Sequence, residues 1–129
     1  MITKAQEFIK LQKWAVVGAS TDPDKFGHII TNKLMEAGRT VWPVNPRGGE
    51  IEGNRVYSDL ASLPEVPEVV DVVVPPRVAL GVVEECGRLG IKRIWFQPGT
   101  RSIEANARCR ELGIEFVDDS CVLVELKQL

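Results

Sequence analysis

The chain has 129 residues, 44% of them hydrophobic, and its 16 basic and 18 acidic side chains leave a formal net charge of −2. This length suits one domain over residues 1–129, because single domains cluster at about 100–150 residues. The balanced charge excludes the basic footprint of proteins that bind nucleic acid or anionic lipid, and no apolar run approaches the ~20 residues of a membrane span.

Short apolar runs alternate with longer amphipathic stretches along the chain. The runs are rich in β-branched and aromatic residues and mostly lack polar alternation, which is typical of parallel strands covered on both faces. They comprise residues 14–18, 40–44, 69–74, 93–96 and 114–117. The sequence therefore predicts five strands.

Helices are predicted before, between and after these strands. A capping box of Thr3 and Gln6 opens a leading helix, and its lysines distinguish this segment from a signal peptide. Later helices begin near Phe26, before Ala79, at Ser102 as N-cap and after Ser120. Glycines predict three helix ends: Gly38, Gly90 and Gly113.

Residues 46–67 fit the alternation less well and predict an irregular crossover with a short helix within 57–63. The whole pattern predicts an α/β fold: a Rossmann-like, doubly wound, five-stranded parallel sheet with helices on both faces. We expect the strand order 3-2-1-4-5, with a ligand crevice at the carboxyl ends of the first and fourth strands.

The first strand ends in a small-residue loop that runs from Gly18 to a helix starting near Phe26. Backbone N–H groups and the positive helix end would face an anion there, and Ser20 and Lys25 could add donors. The loop is not a Gly-x-Gly-x-x-Gly fingerprint, since Ser20 replaces the second glycine and Gly27 comes too late for the third. A plain strand-to-helix turn is the alternative.

The second strand runs into Asn45, Pro46 and Arg47, and no acidic residue appears until Glu50. NAD-binding folds place an acidic residue about 20 residues after the glycine fingerprint. An arginine instead suits a phosphorylated ribose, as found in NADP and coenzyme A, because its fork binds phosphate in a bidentate manner. Alternatively, Arg47 is a solvated loop residue.

The segments after the third and fourth strands could also contact a ligand. Val74 and Pro75 predict a rigid apolar edge for a purine ring, although the next residue, Pro76, equally suits the start of a helix. After the fourth strand, the segment Gln97, Pro98 and Gly99 could hold a pyrophosphate or a pantetheine arm, because Gly99 permits close backbone approach.

Taken together, these segments resemble the small stand-alone CoA-binding domain proteins, which are similar to the N-terminal CoA-binding domain of the succinyl-CoA synthetase alpha subunit. The resemblance covers residues 8–127, and the segments that carry it are 14–20, 44–47, 73–76, 94–99 and 119–121. It implies a Rossmann-like fold that binds coenzyme A.

The resemblance also implies a role for each segment. Residues Gly18, Ala19, Ser20, Lys25, Phe26 and Gly27 would cradle phosphates. Asn45, Pro46 and Arg47 would meet the ribose phosphate end, Val74 and Pro75 the adenine, and Gln97, Pro98 and Gly99 the neighbouring arm.

The catalytic histidine of the synthetase lies in a separate downstream domain, so the resemblance does not bring ligase chemistry with it. We expect a cytoplasmic, non-enzymatic carrier, sensor or regulator that binds CoA or acyl-CoA. An NADP-dependent oxidoreductase or another nucleotide-binding enzyme is the alternative.

The remaining reactive side chains are few. His28, the only histidine, is predicted in the first turn of a helix as a neutral donor or packing residue, with no acid placed to orient it. Cys86 and Cys109 lie on apolar helix faces, while Cys121 starts the last helix and could pack or form a mixed disulfide with CoA. Three dispersed cysteines predict a reducing compartment, and no ligand spacing suggests a metal.

Overall fold

The computed structural model describes residues 1–129 and confirms the predicted alternation of strands and helices. The strands of the main sheet are β1 (Lys13–Val17), β2 (Thr40–Val44), β5 (Val69–Val72), β6 (Arg93–Phe96) and β7 (Glu115–Val117). The helices are α1 (Lys4–Phe8), α2 (Phe26–Glu36), α3 (Pro76–Leu89), α4 (Ile103–Leu112) and α5 (Val122–Lys127). None of the helices has the length and apolar character needed to cross a bilayer.

The irregular crossover between β2 and β5 contains a small hairpin that the sequence did not predict. It is formed by β3 (Glu50–Ile51) and β4 (Asn54–Arg55), which pair antiparallel. A short 3-10 helix follows at Leu60–Ser62, inside the segment for which a short helix was predicted.

All pairs in the main sheet are parallel, and the strand order is β2-β1-β5-β6-β7. Numbered along the chain, this order is 2-1-3-4-5, so the predicted order 3-2-1-4-5 is wrong. The crossover from β2 carries β5 to the far side of β1 instead of extending the sheet beyond β2. Both orders allow right-handed connections, so the alternation of elements does not choose between them. The point where the strand order reverses therefore lies between β1 and β5.

Helices cover both faces of the sheet, as predicted. Helices α1, α2 and α5 pack on one face around Trp14, Val16 and Trp95. Helices α3 and α4 pack on the other face, around Val70 and Phe96. Strands buried on both faces explain why the apolar runs lack polar alternation.

The local signals at helix ends are largely confirmed. Thr3 and Gln6 form a reciprocal capping box, and the Ser102 side chain accepts a hydrogen bond from the Ala105 N–H group. Gly90 and Gly113 end α3 and α4 in the left-handed conformation that glycine adopts without steric cost.

One carboxyl group is buried in the core. Asp71 on β5 is fully buried, and neither of its carboxylate oxygens has a hydrogen-bond partner. In register it lies between Val16 of β1 and Trp95 of β6. Burial raises the pKa of Asp71 well above its ordinary value, because an apolar environment disfavours the charged form.

Candidate functional site

The candidate site lies at the carboxyl edge of the sheet, around the reversal point between β1 and β5. Ligands of open α/β sheets bind at such points, because the connecting helices diverge there and leave a crevice. The β1–α2 loop (residues 18–25), the segment after β2 and the segment after β5 surround this position. The crevice was predicted at the first and fourth strands, and its position changes with the corrected strand order.

Direct hydrogen bonds join the β1–α2 loop to the segment after β2. The N–H groups of Gly18 and Ala19 donate to the Val44 carbonyl at 3.0 and 3.3 Å. In return, the Asn45 side-chain amide donates to the Ala19 carbonyl at 2.6 Å. Two segments predicted to bind one ligand are thus fixed relative to each other.

Gly18 lets the β1–α2 loop approach the segment after β5. Its φ angle of +99° lies in the region that favours glycine, and a Cβ atom there would be 2.2 Å from the Val73 carbonyl oxygen. No residue with a side chain fits without moving the backbone.

Gly27 allows an equally close approach at the start of α2. A Cβ atom on Gly27 would lie 2.1 Å from the carbonyl oxygen of Gly18. The spacing still departs from the Gly-x-Gly-x-x-Gly fingerprint, but Gly27 makes a close contact of the kind that the third glycine of that fingerprint allows. The loop folds back far enough for the first turn of α2 to sit directly on Gly18.

Several backbone N–H groups of this region donate to no protein atom. They belong to Ser20, Thr21, Phe26 and Gly27. By contrast, the N–H groups of Asp22 and Asp24 are satisfied by side-chain oxygens within the loop. Free amides beside the positive end of an eleven-residue helix form an arrangement that favours an anion.

Basic side chains border these amides without ion-pair partners. Lys25 is the exposed N-cap residue of α2, and Arg47 is exposed two residues after Asn45. The Arg47 backbone N–H donates to the Asn45 side-chain oxygen at 2.9 Å, which fixes the turn that carries the guanidinium. Sequence reasoning missed a third cation, the exposed Arg77 in the first turn of α3, whose signal was its place directly after a strand end.

Apolar groups lie at the same edge. Phe26 is 41% exposed although it is aromatic, and Val74 is half-buried. Pro75 is the exposed N-cap residue of α3, and Pro76 is its first residue, so the proposed role of Pro76 as a helix start is confirmed. Pro46 is also exposed, between Asn45 and Arg47.

The Gln97 side chain is engaged within the protein. It is buried, its amide nitrogen donates to the Cys121 Sγ at 3.2 Å, and its oxygen accepts from the Val122 N–H at 3.1 Å. Both ends of this amide are thus used to hold the start of α5. The adjoining Pro98 and Gly99 are exposed, and Gly99 has a φ angle of +89°.

His28 in the first turn of α2 is nearly buried and holds the β1–α2 loop. Its Nδ1 lies 2.8 Å from the Ser20 carbonyl oxygen, which confirms the prediction of a hydrogen-bonding histidine. Its Nε2 lies 3.7 Å from a carboxylate oxygen of Glu52. The expectation that no acid lies near His28 is wrong, because the unpredicted β3–β4 turn brings Glu52 to it.

The three cysteines fall into two classes. Cys86 and Cys109 are buried in the core, as predicted, and burial raises the pKa of the Cys109 thiol to about 11. Burial also raises the pKa of Cys86. These two thiols stay protonated at neutral pH and are poor nucleophiles. Cys121 is half-buried at the N-cap of α5.

Comparison with known proteins identifies the same fold in several archaeal and bacterial chains. A family model described as a CoA binding domain matches residues 12–127. The alpha subunit of ADP-forming acetate–CoA ligase I from Pyrococcus furiosus is 40% identical over 84 residues, which are 60% of this chain and 18% of that protein. The chain therefore spans less than a fifth of that ligase subunit.

Smaller proteins match along most of their length. An uncharacterized protein of Bacillus subtilis, YneT, is 31% identical over 110 residues, which are 85% of this chain and 82% of that protein. A conserved hypothetical protein from Pyrococcus furiosus has a solved structure that superposes with a TM-score of 0.84 at 42% identity. That alignment covers 88% of this chain and 98% of the other.

Proposed function

The chain belongs to the CoA-binding domain family, and from this premise we propose that it binds coenzyme A, free or acylated, at the carboxyl ends of β1, β2 and β5. We further propose that it acts as a carrier, sensor or regulator without chemistry of its own. The observation that carries the proposal is the set of four free backbone amides in and beside the β1–α2 loop, next to the unpaired cation of Lys25.

The pyrophosphate would lie against the β1–α2 loop. Its negative charge matches the free N–H groups and the positive end of α2, and Lys25 adds a mobile charge at the same place. The Gly18 and Gly27 contacts support this position, because they let the loop and the first turn of α2 pack closely and so bring their free amides together.

The phosphorylated ribose would lie near Arg47. The Asn45 side chain bonds the backbone of two neighbouring segments, at Ala19 after β1 and at Arg47 after β2. This clamp would hold the arginine at a constant distance from the pyrophosphate, and a guanidinium binds a phosphate through two parallel hydrogen bonds.

The less polar parts of the ligand would meet the apolar edge. Val74 and Pro75 offer a rigid surface for adenine, and the exposed backbone at Pro98 and Gly99 would run beside the pantetheine arm. In this arrangement Gln97 contributes its backbone, since its side chain is engaged with Cys121 and Val122.

The reactive groups support binding without catalysis. Two of the three thiols are buried and protonated, and the His28 Nδ1 is committed to the Ser20 carbonyl. A general base needs a nitrogen that reaches the reacting group, and the other ring nitrogen, Nε2, lies 3.7 Å from the Glu52 carboxylate of the β3–β4 turn.

The test compares CoA with its dephospho form, which lacks only the 3′-phosphate, for the wild type and Arg47→Ala. We expect the wild type to prefer CoA and the variant to lose about tenfold in CoA affinity, because a charge-assisted pair is removed. The affinity for dephospho-CoA should stay unchanged in calorimetric titrations.

Arg88→Ala is the matched control, since Arg88 is also exposed but lies in the last turn of α3, at the opposite edge of the sheet. This variant should keep the wild-type preference. An unchanged preference in Arg47→Ala would contradict the assignment of Arg47.

A further inference from the structure

We propose that His28 is a positioning residue that sets the β1–α2 loop for anion binding. Its Nδ1–H would hold the Ser20 carbonyl inward and thereby turn the next N–H group, that of Thr21, towards the ligand. This inference rests on the proposed function. It adds a residue that supports phosphate binding without contacting the phosphate.

The proton position follows from the partner. The Ser20 carbonyl oxygen can only accept a hydrogen bond, so the Nδ1 atom 2.8 Å away must carry the proton. The other ring nitrogen, Nε2, faces the Glu52 carboxylate at 3.7 Å. The ring is therefore held between the β1–α2 loop and the β3–β4 hairpin.

The effect on Thr21 follows from the peptide bond. A trans peptide is planar, so the carbonyl of Ser20 and the N–H of Thr21 point in opposite directions, and the chain has no cis bonds. With the carbonyl drawn towards the buried His28, the Thr21 N–H faces away from the protein interior. Thr21 is exposed, and its N–H is one of the four free amides.

The hairpin that holds the other side of the ring is itself well fixed. Ile51 is 1% exposed and anchors β3 in the core beneath α2. Glu52 adopts a φ angle of +49°, an uncommon conformation for a residue other than glycine. This turn places the carboxylate beside Nε2, where it attracts the ring only in the imidazolium form.

A first test determines which ring nitrogen of His28 carries the proton. The chain has one histidine, so the imidazole signals in nitrogen-15 NMR spectra are unambiguous. We expect a proton on Nδ1 in the free protein, either in the Nδ1–H tautomer or in the imidazolium form. A neutral Nε2–H tautomer would overturn the inference, because it cannot donate to Ser20.

A second test uses two variants to separate the effect of the hydrogen-bond donor of His28 from the effect of its side-chain volume. His28→Asn keeps an N–H donor near the Nδ1 position, whereas His28→Leu fills similar space without a donor. We expect His28→Asn to bind CoA within about threefold of wild type and His28→Leu to bind about tenfold more weakly, as the loss of one hydrogen bond predicts.

The outcomes distinguish this inference from the proposed function. If the wild type binds CoA and His28→Leu binds it equally well, or His28→Asn binds as weakly as His28→Leu, only the positioning role is wrong. If the wild type itself does not bind CoA, the proposed function fails and the role of His28 fails with it. Unfolding curves for both variants would show which differences come from stability, and the NMR result needs no variant.

Discussion

The β1–α2 loop and the β6–α4 loop (residues 97–102) make an instructive comparison, because both lead from the carboxyl end of a parallel strand into a helix. In the first loop the backbone keeps several N–H groups free. In the second, the N–H groups of Gly99, Arg101 and Ser102 are free as well, but the polar groups of Gln97 are not. Its side chain bonds to Cys121 and Val122, and Thr100 donates twice to its carbonyl.

The difference shows that a polar residue after a strand does not by itself indicate a ligand site. What matters is whether its donors and acceptors already have partners within the protein. Satisfied groups stabilise the fold, whereas free groups at a solvent-accessible edge are available to bind a ligand. By this criterion the free amides of the β1–α2 loop are candidates for ligand binding, whereas the Gln97 side chain stabilises the fold.

The largest effect should come from breaking the first loop with Gly27→Ala. The new methyl group would meet the Gly18 carbonyl, and relieving this overlap requires α2 and the loop to separate. We expect the free energy of unfolding to fall by about 2–3 kcal/mol, as in other overpacked sites, and CoA binding to be lost in calorimetry.

Gly81→Ala is the control for this substitution, since Gly81 lies within α3 and a Cβ atom there meets nothing. It should raise stability by about 0.5–1 kcal/mol through helix propensity and leave CoA binding unchanged. Intact CoA binding by Gly27→Ala would show that the loop geometry is not required.

Breaking the second loop with Gln97→Met should affect stability and spare binding. The substitution leaves the Val122 N–H without its acceptor at the start of α5. We expect the free energy of unfolding, measured in urea, to fall by about 1–3 kcal/mol, while CoA affinity stays within about threefold of wild type. A selective loss of affinity at unchanged stability would make Gln97 a ligand contact and remove the contrast between the loops.

A change on β5, the strand between the two loops, should raise stability. Because the pKa of Asp71 is raised in the folded state, that state keeps a proton which the unfolded chain releases above its ordinary pKa of 3.8. Wild-type stability therefore falls as pH rises from about 4 towards the folded-state pKa.

Asp71→Val removes the loss of stability that the Asp71 carboxyl group causes as pH rises. The variant should exceed wild type by about 1–3 kcal/mol at neutral to weakly alkaline pH, with a smaller gain near pH 4–5. Urea unfolding of both proteins across this pH range measures the difference. A gain that does not change with pH would contradict titration of Asp71 as the cause.

The smallest effect should come from Lys25→Ala. The side chain is exposed and makes no ion pair, so stability should change by less than about 0.5 kcal/mol. CoA affinity should fall by about two- to fivefold, and the effect should shrink in high salt because solvent screens an exposed charge. Titrations at low and high ionic strength test this; equal affinity of the two proteins in low salt would exclude Lys25 from the site.

Much of the fold was predictable because local physics determines it. Strands buried on both faces need continuous apolar runs such as 14–17, and helix ends need residues such as Ser102 and Gly113. The strand order was not predictable, since the side of β1 on which β5 pairs leaves no local signal. The β3–β4 hairpin was missed because two-residue strands carry no periodicity.

The candidate site was predictable only at the level of its loops. Gly18 and Asn45 follow apolar strands, so their position at the carboxyl edge of the sheet could be predicted. The satisfaction of Gln97 by Cys121 and Val122 depends on the packing of α5, and the contact of His28 with Glu52 depends on the hairpin. Such long-range partners are fixed by tertiary structure, which pattern reasoning does not supply.

The most direct measurement is a calorimetric titration of the purified wild-type chain with coenzyme A. The account predicts saturable heat with one ligand per chain, which weakens as salt is raised because phosphates are held by amides and cations. Absence of any heat with coenzyme A in large molar excess would contradict the central claim that this edge of the sheet binds the cofactor.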